Sequence, residues 1–260
     1  MTNKPTLKEK IQSGCPVIGT WSVIPSVVVA DIVAASGLDF LIIDAEHGPI
    51  DFQTAQNMVI ACDSRGVTPA MRVGGVIAQE ILRALDIGVS VIHIPNICNL
   101  VQLQEAARCC KYPPRGTRGF SPFNRAGGYS PSQSKFSTEQ SNNSTLLAVH
   151  VEGSLGLANL DQLLTSREVD IVFVGLYDLS VSLGIPGETD SPIITKAVSE
   201  LVTKVTNAGK CPGTIVNNVK QLALFLDMGM RYITFSVDCQ MLMRSYQEAC
   251  KSFRNLSNQE

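Results

Sequence analysis

Short runs of consecutive apolar residues alternate along the chain with longer stretches in which apolar positions recur every three or four residues. The short runs fall at residues 17–23, 40–44, 68–73, 89–95, 146–151, 170–174, 213–216 and 232–235. Most are rich in Val, Ile, Leu or Phe without a polar alternate, which is how strands read when a parallel sheet buries both faces. The periodic stretches, among them 26–36, 53–65, 78–85, 100–111 and 192–208, predict helices between the strands. A further helix opens the chain: Thr6 and Glu9 have capping-box spacing and Gly14 is a stop. Eight βα units in 260 residues predict one α/β domain over residues 1–260, a (β/α)8 TIM barrel. A doubly wound sheet is the competing architecture. Its first strand ordinarily leads into a Gly-rich phosphate turn, whereas here it leads into Ile24-Pro25-Ser26, and no dinucleotide or Walker phosphate motif occurs.

Residues 112–145, after the fourth βα unit, break the rhythm. They are rich in Pro, Gly, Ser and Asn and carry Arg115, Arg118 and Arg125 beside Phe120, Phe123 and Tyr129. Connections this long are commonly functional, and so many aromatics and arginines predict an ordered lid or a subunit interface.

Composition narrows the function classes. Only 17% of residues are charged while 45% are hydrophobic, against about 25% charged in an average soluble protein. Disorder is excluded. The net charge of −2 argues against nucleic acid or an acidic membrane as partner. No apolar stretch reaches the roughly 18 residues of a membrane span, and the first residues lack the apolar core of a signal peptide. The eight cysteines include no CxxC pair, and they read as reduced, mostly buried thiols of a cytoplasmic protein.

In a barrel, chemistry gathers at the C-terminal ends of the strands. Those ends carry Asp44, Glu46 and His47, then Arg72, then Pro95-Asn96, then His150 and Glu152, then Gly175-Leu176-Tyr177-Asp178, then Asn217 and Asn218, then Asp238. Each also admits a structural role: Asp178 and Asp238 as helix caps, Arg72 as a salt-bridged arginine, His93 as a satisfied core histidine. Glu152 is harder to explain structurally, because a buried glutamate is rarely left without a partner or a metal. If Glu152 and Asp178 converge, two carboxylates suit a hard octahedral cation, Mg2+ or Mn2+ rather than Zn2+. Such an ion could chelate a 2-oxo acid and act as a Lewis acid. No lysine falls within a predicted strand, which argues against imine chemistry. The Gly-rich phosphate turn after strands 7 and 8 is missing, which argues against a phosphorylated substrate.

Several segments resemble one family. They are Gly19-Thr20-Trp21, the run from Gly37 to Pro49 with its Asp44-Ala45-Glu46-His47-Gly48-Pro49, the run from Tyr112 to Gly119, Val151-Glu152, and Gly175 to Ser180 followed by Leu183-Gly184. Together they resemble the metal-dependent (class II) pyruvate aldolases of the 4-hydroxy-2-oxoheptanedioate aldolase type, in the superfamily of the citrate lyase beta subunit. The resemblance runs from about Lys8 to Ala249. It implies His47 as general base with Asp44 as its dyad partner, and Arg72 as the residue that binds the pyruvate end and stabilises an enolate. It implies Glu152 and Asp178 as metal ligands, for Mg2+ or Mn2+ with Co2+ as a further candidate. Asp86 resembles a carboxylate that tunes the histidine from its own or a neighbouring subunit. Gly175 and the backbone amide of Tyr177 fall where the family holds the substrate carboxylate. The resemblance also implies a homohexamer, a trimer of dimers with a swapped C-terminal helix.

The chain departs from the family pattern where the pattern contacts substrate. His150 stands for a substrate-contacting Gln, Leu176-Tyr177 for Pro-x, Asn96 for Met, and Gly153 for Thr or Ser. The implied reaction is reversible cleavage of a 4-hydroxy-2-oxo acid to pyruvate and an aldehyde. Oxaloacetate decarboxylation or a carbon–carbon bond-forming synthase are the alternatives, and a non-catalytic binding barrel is a remote third.

Overall fold

The computed structural model describes residues 5–257. Eight parallel strands close into a barrel in sequence order. They are β1 (Val17–Ser22), β2 (Phe40–Asp44), β3 (Thr68–Arg72), β4 (Val91–Ile94), β5 (Leu146–Val151), β6 (Ile171–Val174), β7 (Cys211–Val216) and β8 (Tyr232–Val237). Helices lie between successive strands, so the chain is the (β/α)8 barrel that its apolar pattern predicts. Pro212 and Gly213, poor strand formers, mask the start of β7 in the sequence pattern.

Two shells of apolar packing hold the barrel. The outer shell lies between strands and helices and includes Leu41, Ile43, Met71, Ile92, Val149 and Val172. The inner cluster fills the barrel with Trp21, Phe40, Ile42, Ala70, Val91, Ala148, Phe173 and Tyr232. Alternate residues of each strand therefore serve the two shells. Each fully buried Leu, Ile or Phe contributes about 1.5–3 kcal/mol. Leu7, on the capped helix Leu7–Gln12, joins the inner cluster.

Gly19 sits in β1 beside the Phe40 ring, where a Cβ would come within 2.4 Å of it. The missing side chain lets Phe40 lie flat on Tyr232, ring centroids 4.1 Å apart. At the other end of the barrel, Asp238 ties β8 to the turn after β1. Its buried carboxylate accepts from the Ser22 hydroxyl at 2.7 Å and from the Val23 and Ile24 amides at 3.1 Å each. Asp238 is thus a structural bracket.

The segment 112–145 is not a lid. Arg118 is buried, lies over the Tyr112 ring and pairs with Asp86 at 2.9 Å. Arg115 pairs with Glu168 and Arg125 with Asp63, each at 2.6 Å. Asp63 and Asp86 close their helices, Phe52–Ser64 and Ala78–Asp86, at the N-terminal end of the barrel. The arginines thus clamp the segment away from the strand ends that carry the chemistry. Its last part, Ser134–Ser144, is a helix, although its composition is that of a loop. Phe120, Phe123 and Tyr129 remain exposed.

The C-terminal helix, Asp238–Ser257, is buried against the barrel at Asp238, and Arg244 reaches back to the Asn217 carbonyl at 2.6 Å. From Met241 onward it is exposed, including Met243, Tyr246, Phe253 and Leu256. Among the described residues no helix is long and apolar enough to cross a membrane. Half of the cysteines, Cys62, Cys109, Cys110 and Cys211, are buried, fewer than the expected majority. Cys15, Cys239 and Cys250 lie on exposed elements.

Candidate active site

Strand alternation decides which polar side chains meet. Phe40 and Ile42 of β2 point inward, so Asp44 does too. In the same way Ala70 sets the direction of Arg72, Ala148 that of His150 and then Glu152, and Phe173 that of Gly175. The result is a cavity of about 280 Å3 at the C-terminal mouth, lined by Asp44, His47, Arg72, His150, Glu152, Gly175, Tyr177 and Asp178 together with Trp21, Phe173, Ile215 and Val237. A larger hollow of about 790 Å3 opens at the other end of the barrel, but its Lys10 and Asp39 are paired with each other. The mouth is where unspent polar groups converge.

Arg72 is the centre of this group. Its Nε and Nη2 donate to the two oxygens of Asp44 at 2.9 and 2.6 Å, and its Nη1 lies 3.1 Å from Glu46 Oε2. The guanidinium lies over the Trp21 ring, 4.5 Å from its centroid. Burial works to lower the Arg72 pKa, but the bonds to Asp44 and the charges of Asp44, Glu46 and Glu152 hold it above its ordinary value.

Asp44 is not the dyad partner of the His47 ring. Its carboxylate is taken by Arg72, and it also accepts from the backbone amides of Glu46 at 3.1 Å and His47 at 3.3 Å. Asp44 thus fixes the backbone of the turn that carries His47. The His47 side chain is 69% exposed, and its nearest carboxylate oxygen is Glu46 Oε2 at 3.9 Å. Asp86 is not brought to His47 within this chain either, because it closes its helix far from the mouth and pairs with Arg118.

Glu152 stands one residue past β5. Burial raises its pKa, while Arg72, the Asn96 amide and His47 pull it down. Asn96 holds that place with a left-handed backbone, φ 51°. One oxygen of Glu152 lies 2.8 Å from His150 Nδ1. Gly175 gives Glu152 room, since a Cβ there would approach Glu152 Cγ to 2.9 Å. Asp178 lies in the first turn of the helix Leu176–Ser182, whose N-cap Gly175 supplies no side-chain bond. Asp178 is therefore not a cap, and it is exposed at the cavity. The Tyr177 hydroxyl accepts from Asn217 Nδ2 at 3.0 Å.

The donor set suits a hard divalent cation. Glu152 is a carboxylate that burial disfavours as an anion, and Asp178 makes no hydrogen bond or ion pair among the described residues. Among those residues no three His, Cys, Asp or Glu side chains are grouped to hold a metal. An ion here would rest on these two carboxylates and complete its shell with water and substrate oxygens.

Sequence reasoning gave no role to Glu46 or Trp21. Glu46 is half-buried and burial raises its pKa, with Arg72 and His47 opposing. The signal for Trp21 was available: it is the single tryptophan of the chain and stands at the inward end of a strand.

Fold and mouth together define a barrel enzyme whose site gathers carboxylates around one arginine. The chain matches the model of the HpcH/HpaI aldolase/citrate lyase family over residues 18–245, and it belongs to that family. It is 33% identical over 241 residues to the hydroxypyruvate/pyruvate aldolase of Roseobacter denitrificans, a match covering 92% of this chain and 93% of that one. It is 29% identical over 260 residues to the 4-hydroxy-2-oxo-heptane-1,7-dioate aldolase of Shigella flexneri, covering 97% and 94%. The crystal structure of a family protein from Burkholderia cenocepacia aligns with a TM-score of 0.90 at 27% identity, over 95% of this chain and 98% of that one.

Proposed function

We propose that this protein is a divalent-cation-dependent aldolase that reversibly cleaves a 4-hydroxy-2-oxo acid to pyruvate and an aldehyde. The observation that carries this reading is the convergence of Arg72, Glu152 and Asp178 on one cavity with His47 at its rim. Glu152 and Asp178 would hold Mg2+ or Mn2+, which when bound supplies Lewis acidity toward the 2-oxo group.

The chain's own residues do the rest. Leu176 and Tyr177, which open the helix Leu176–Ser182, line the cavity, and their amides would take the substrate carboxylate. His47, directly or through one water, takes the proton of the C4 hydroxyl. The C4–O bond becomes a carbonyl as the C3–C4 bond breaks, and its electron pair passes into the enolate of pyruvate. Arg72 faces the negative charge that grows on the enolate oxygen, and a proton then returns to C3. Charge stabilisation of this kind is worth about 3–4 kcal/mol per donor in a dry site. Trp21, Phe173, Ile215 and Val237 keep the far wall apolar. Among the described residues no lysine lines the cavity, so an imine route has no nucleophile there.

The test is release of pyruvate from a 4-hydroxy-2-oxo acid by protein treated with EDTA and then resupplied with Mg2+ or Mn2+, with oxaloacetate as a parallel substrate. Loss and recovery of cleavage supports the reading. Full activity after chelation, or turnover of oxaloacetate alone, overturns it. The protein acts in the cytoplasm as a homo-oligomer, a hexamer built as a trimer of dimers. The unmatched apolar residues of the helix Asp238–Ser257 suit exchange with a second copy, and light scattering on the eluted protein measures the mass.

A further inference from the structure

Beneath the cavity four side chains lie end to end. Glu152 Oε1 is 2.8 Å from His150 Nδ1, His150 Nε2 is 2.9 Å from His93 Nδ1, and His93 Nε2 is 3.0 Å from the Tyr232 hydroxyl. His93, His150 and Tyr232 are at most 1% exposed. Aromatic packing fixes their planes: Trp21 meets both imidazoles edge-on, Phe173 stacks on His150, and Phe40 stacks on Tyr232. The reaction proposed above uses neither His93 nor Tyr232.

The chemistry of the four groups gives the chain one direction. An ionised carboxylate only accepts, so His150 must carry its proton on Nδ1. A neutral imidazole has one N–H and one acceptor nitrogen, and the two rings meet nitrogen to nitrogen, so one of the facing atoms donates and the other accepts. His150 Nε2 therefore accepts, His93 Nδ1–H donates to it, His93 Nε2 accepts in turn, and the Tyr232 O–H donates. The opposite order would need a protonated Glu152 and would turn the Tyr232 proton toward another acceptor. Among the described residues Tyr232 Oη bonds only to His93.

We infer that Tyr232, His93 and His150 form a one-way hydrogen-bond chain that positions Glu152 as a ligand for a divalent ion in the cavity, by fixing its Oε1 as an acceptor. The inference rests on the reading of Glu152 as a ligand. Gly175 supports the arrangement by leaving the space that Glu152 occupies, since a Cβ there would come within 2.9 Å of Glu152 Cγ. His93 and Tyr232 touch no reacting atom. They are positioning residues, and groups that orient a metal ligand in this way commonly change metal affinity by about 10–100-fold.

The test uses the full-length, metal-free protein labelled with 15N-histidine. The chain has three histidines, so its imidazole spectrum contains three spin systems. Two of them, His93 and His150, should be neutral with the proton on Nδ1. Mn2+ affinity is then measured by calorimetry. Tyr232→Phe, which removes only the hydroxyl, should weaken Mn2+ binding several-fold while His93 keeps its proton on Nδ1, where His150 Nε2 still accepts it. His150→Phe should weaken it about 10–100-fold, and His150→Gln, which keeps an N–H donor for Glu152, should recover most of the loss. A proton on Nε2 of either buried histidine in the native protein overturns the inference, as does unchanged Mn2+ affinity in folded Tyr232→Phe and His150→Phe. Native protein that binds no Mn2+ overturns the ligand reading and this inference with it. Native protein that binds Mn2+ but shows the other tautomers overturns the positioning chain alone.

Discussion

Arg72 and Asp44 stand at directly paired positions of β3 and β2, and the guanidinium grips both carboxylate oxygens at 2.9 and 2.6 Å. Both side chains are largely buried, 13% and 3% exposed. The pair does two things at once: it holds the turn that carries His47 and it aims a cation into the mouth. A planar fork makes that grip, and an ammonium cannot reproduce it. Arg72→Lys is therefore expected to keep the charge and still lose about 10²-fold or more in kcat/KM. Arg72→Ala should also destabilise the fold by about 3–5 kcal/mol, because Asp44 is left buried without its partner. Steady-state kinetics and urea denaturation read the two effects separately, and wild-type kinetics in Arg72→Lys would remove the fork from the mechanism.

Gly175 tests the position of Glu152 without touching a charge. Its backbone, φ −82°, is open to any residue, so an alanine there meets no conformational penalty. The added Cβ would press on Glu152 Cγ at 2.9 Å, and the side chain must give way. Gly175→Ala should lower Mn2+ affinity and kcat/KM by about tenfold or more, with a loss of stability of no more than about 1–3 kcal/mol. Calorimetry with Mn2+ decides: unchanged affinity would mean that Glu152 has room to spare or holds no ion.

The two core histidines make stability depend on pH. Burial lowers both pKa values well below 6.5, so just below pH 6.5 the unfolded chain takes up protons that the folded chain refuses. Stability then rises with pH through that window, and the contribution is fully present above pH 6.5 and lost progressively below it. Each histidine contributes at most about 1.4 kcal/mol per pH unit. Glu46, Glu152 and Asp170 are shifted upward by burial and act in the opposite sense nearer the carboxylate range. Urea denaturation between pH 7.5 and about 5.5 should show the fall, and a flat profile there would mean that the rings are protonated in the folded state.

The barrel was legible because a parallel sheet buried on both faces writes itself as bare apolar runs, and eight of them leave few alternatives. The inward direction of Asp44, Arg72 and Glu152 follows from the same strand alternation. What the chain did not disclose are pairings between strands. Nothing local to Asp44 says that Arg72 rather than His47 will claim its carboxylate, since that depends on β2 and β3 being in register. Segment 112–145 misled for a related reason. Its arginines look functional in isolation, and only the fold brings Asp63, Asp86 and Glu168 to meet them. The resemblance supplied roles for single residues but not the His150–His93–Tyr232 chain, which arises where this sequence departs from the family pattern.

His47 is the residue whose role the geometry leaves most open to direct measurement. Its ring is exposed, Asp44 is committed elsewhere, and Glu46 is the nearest acid at 3.9 Å. An exposed side chain without a tight partner can be removed at little structural cost, within about 0.5 kcal/mol. His47→Ala should therefore retain wild-type stability and Mn2+ affinity while slowing aldol cleavage by about 10²–10⁴-fold, the usual worth of a general base. Deuterium exchange at the pyruvate methyl, followed by proton NMR in D2O, isolates proton transfer from carbon–carbon cleavage and should slow in parallel. If exchange persists in His47→Ala and disappears in Glu46→Gln, the base is the half-buried glutamate beside Arg72, whose pKa burial raises, and His47 serves the aldehyde side of the cavity instead.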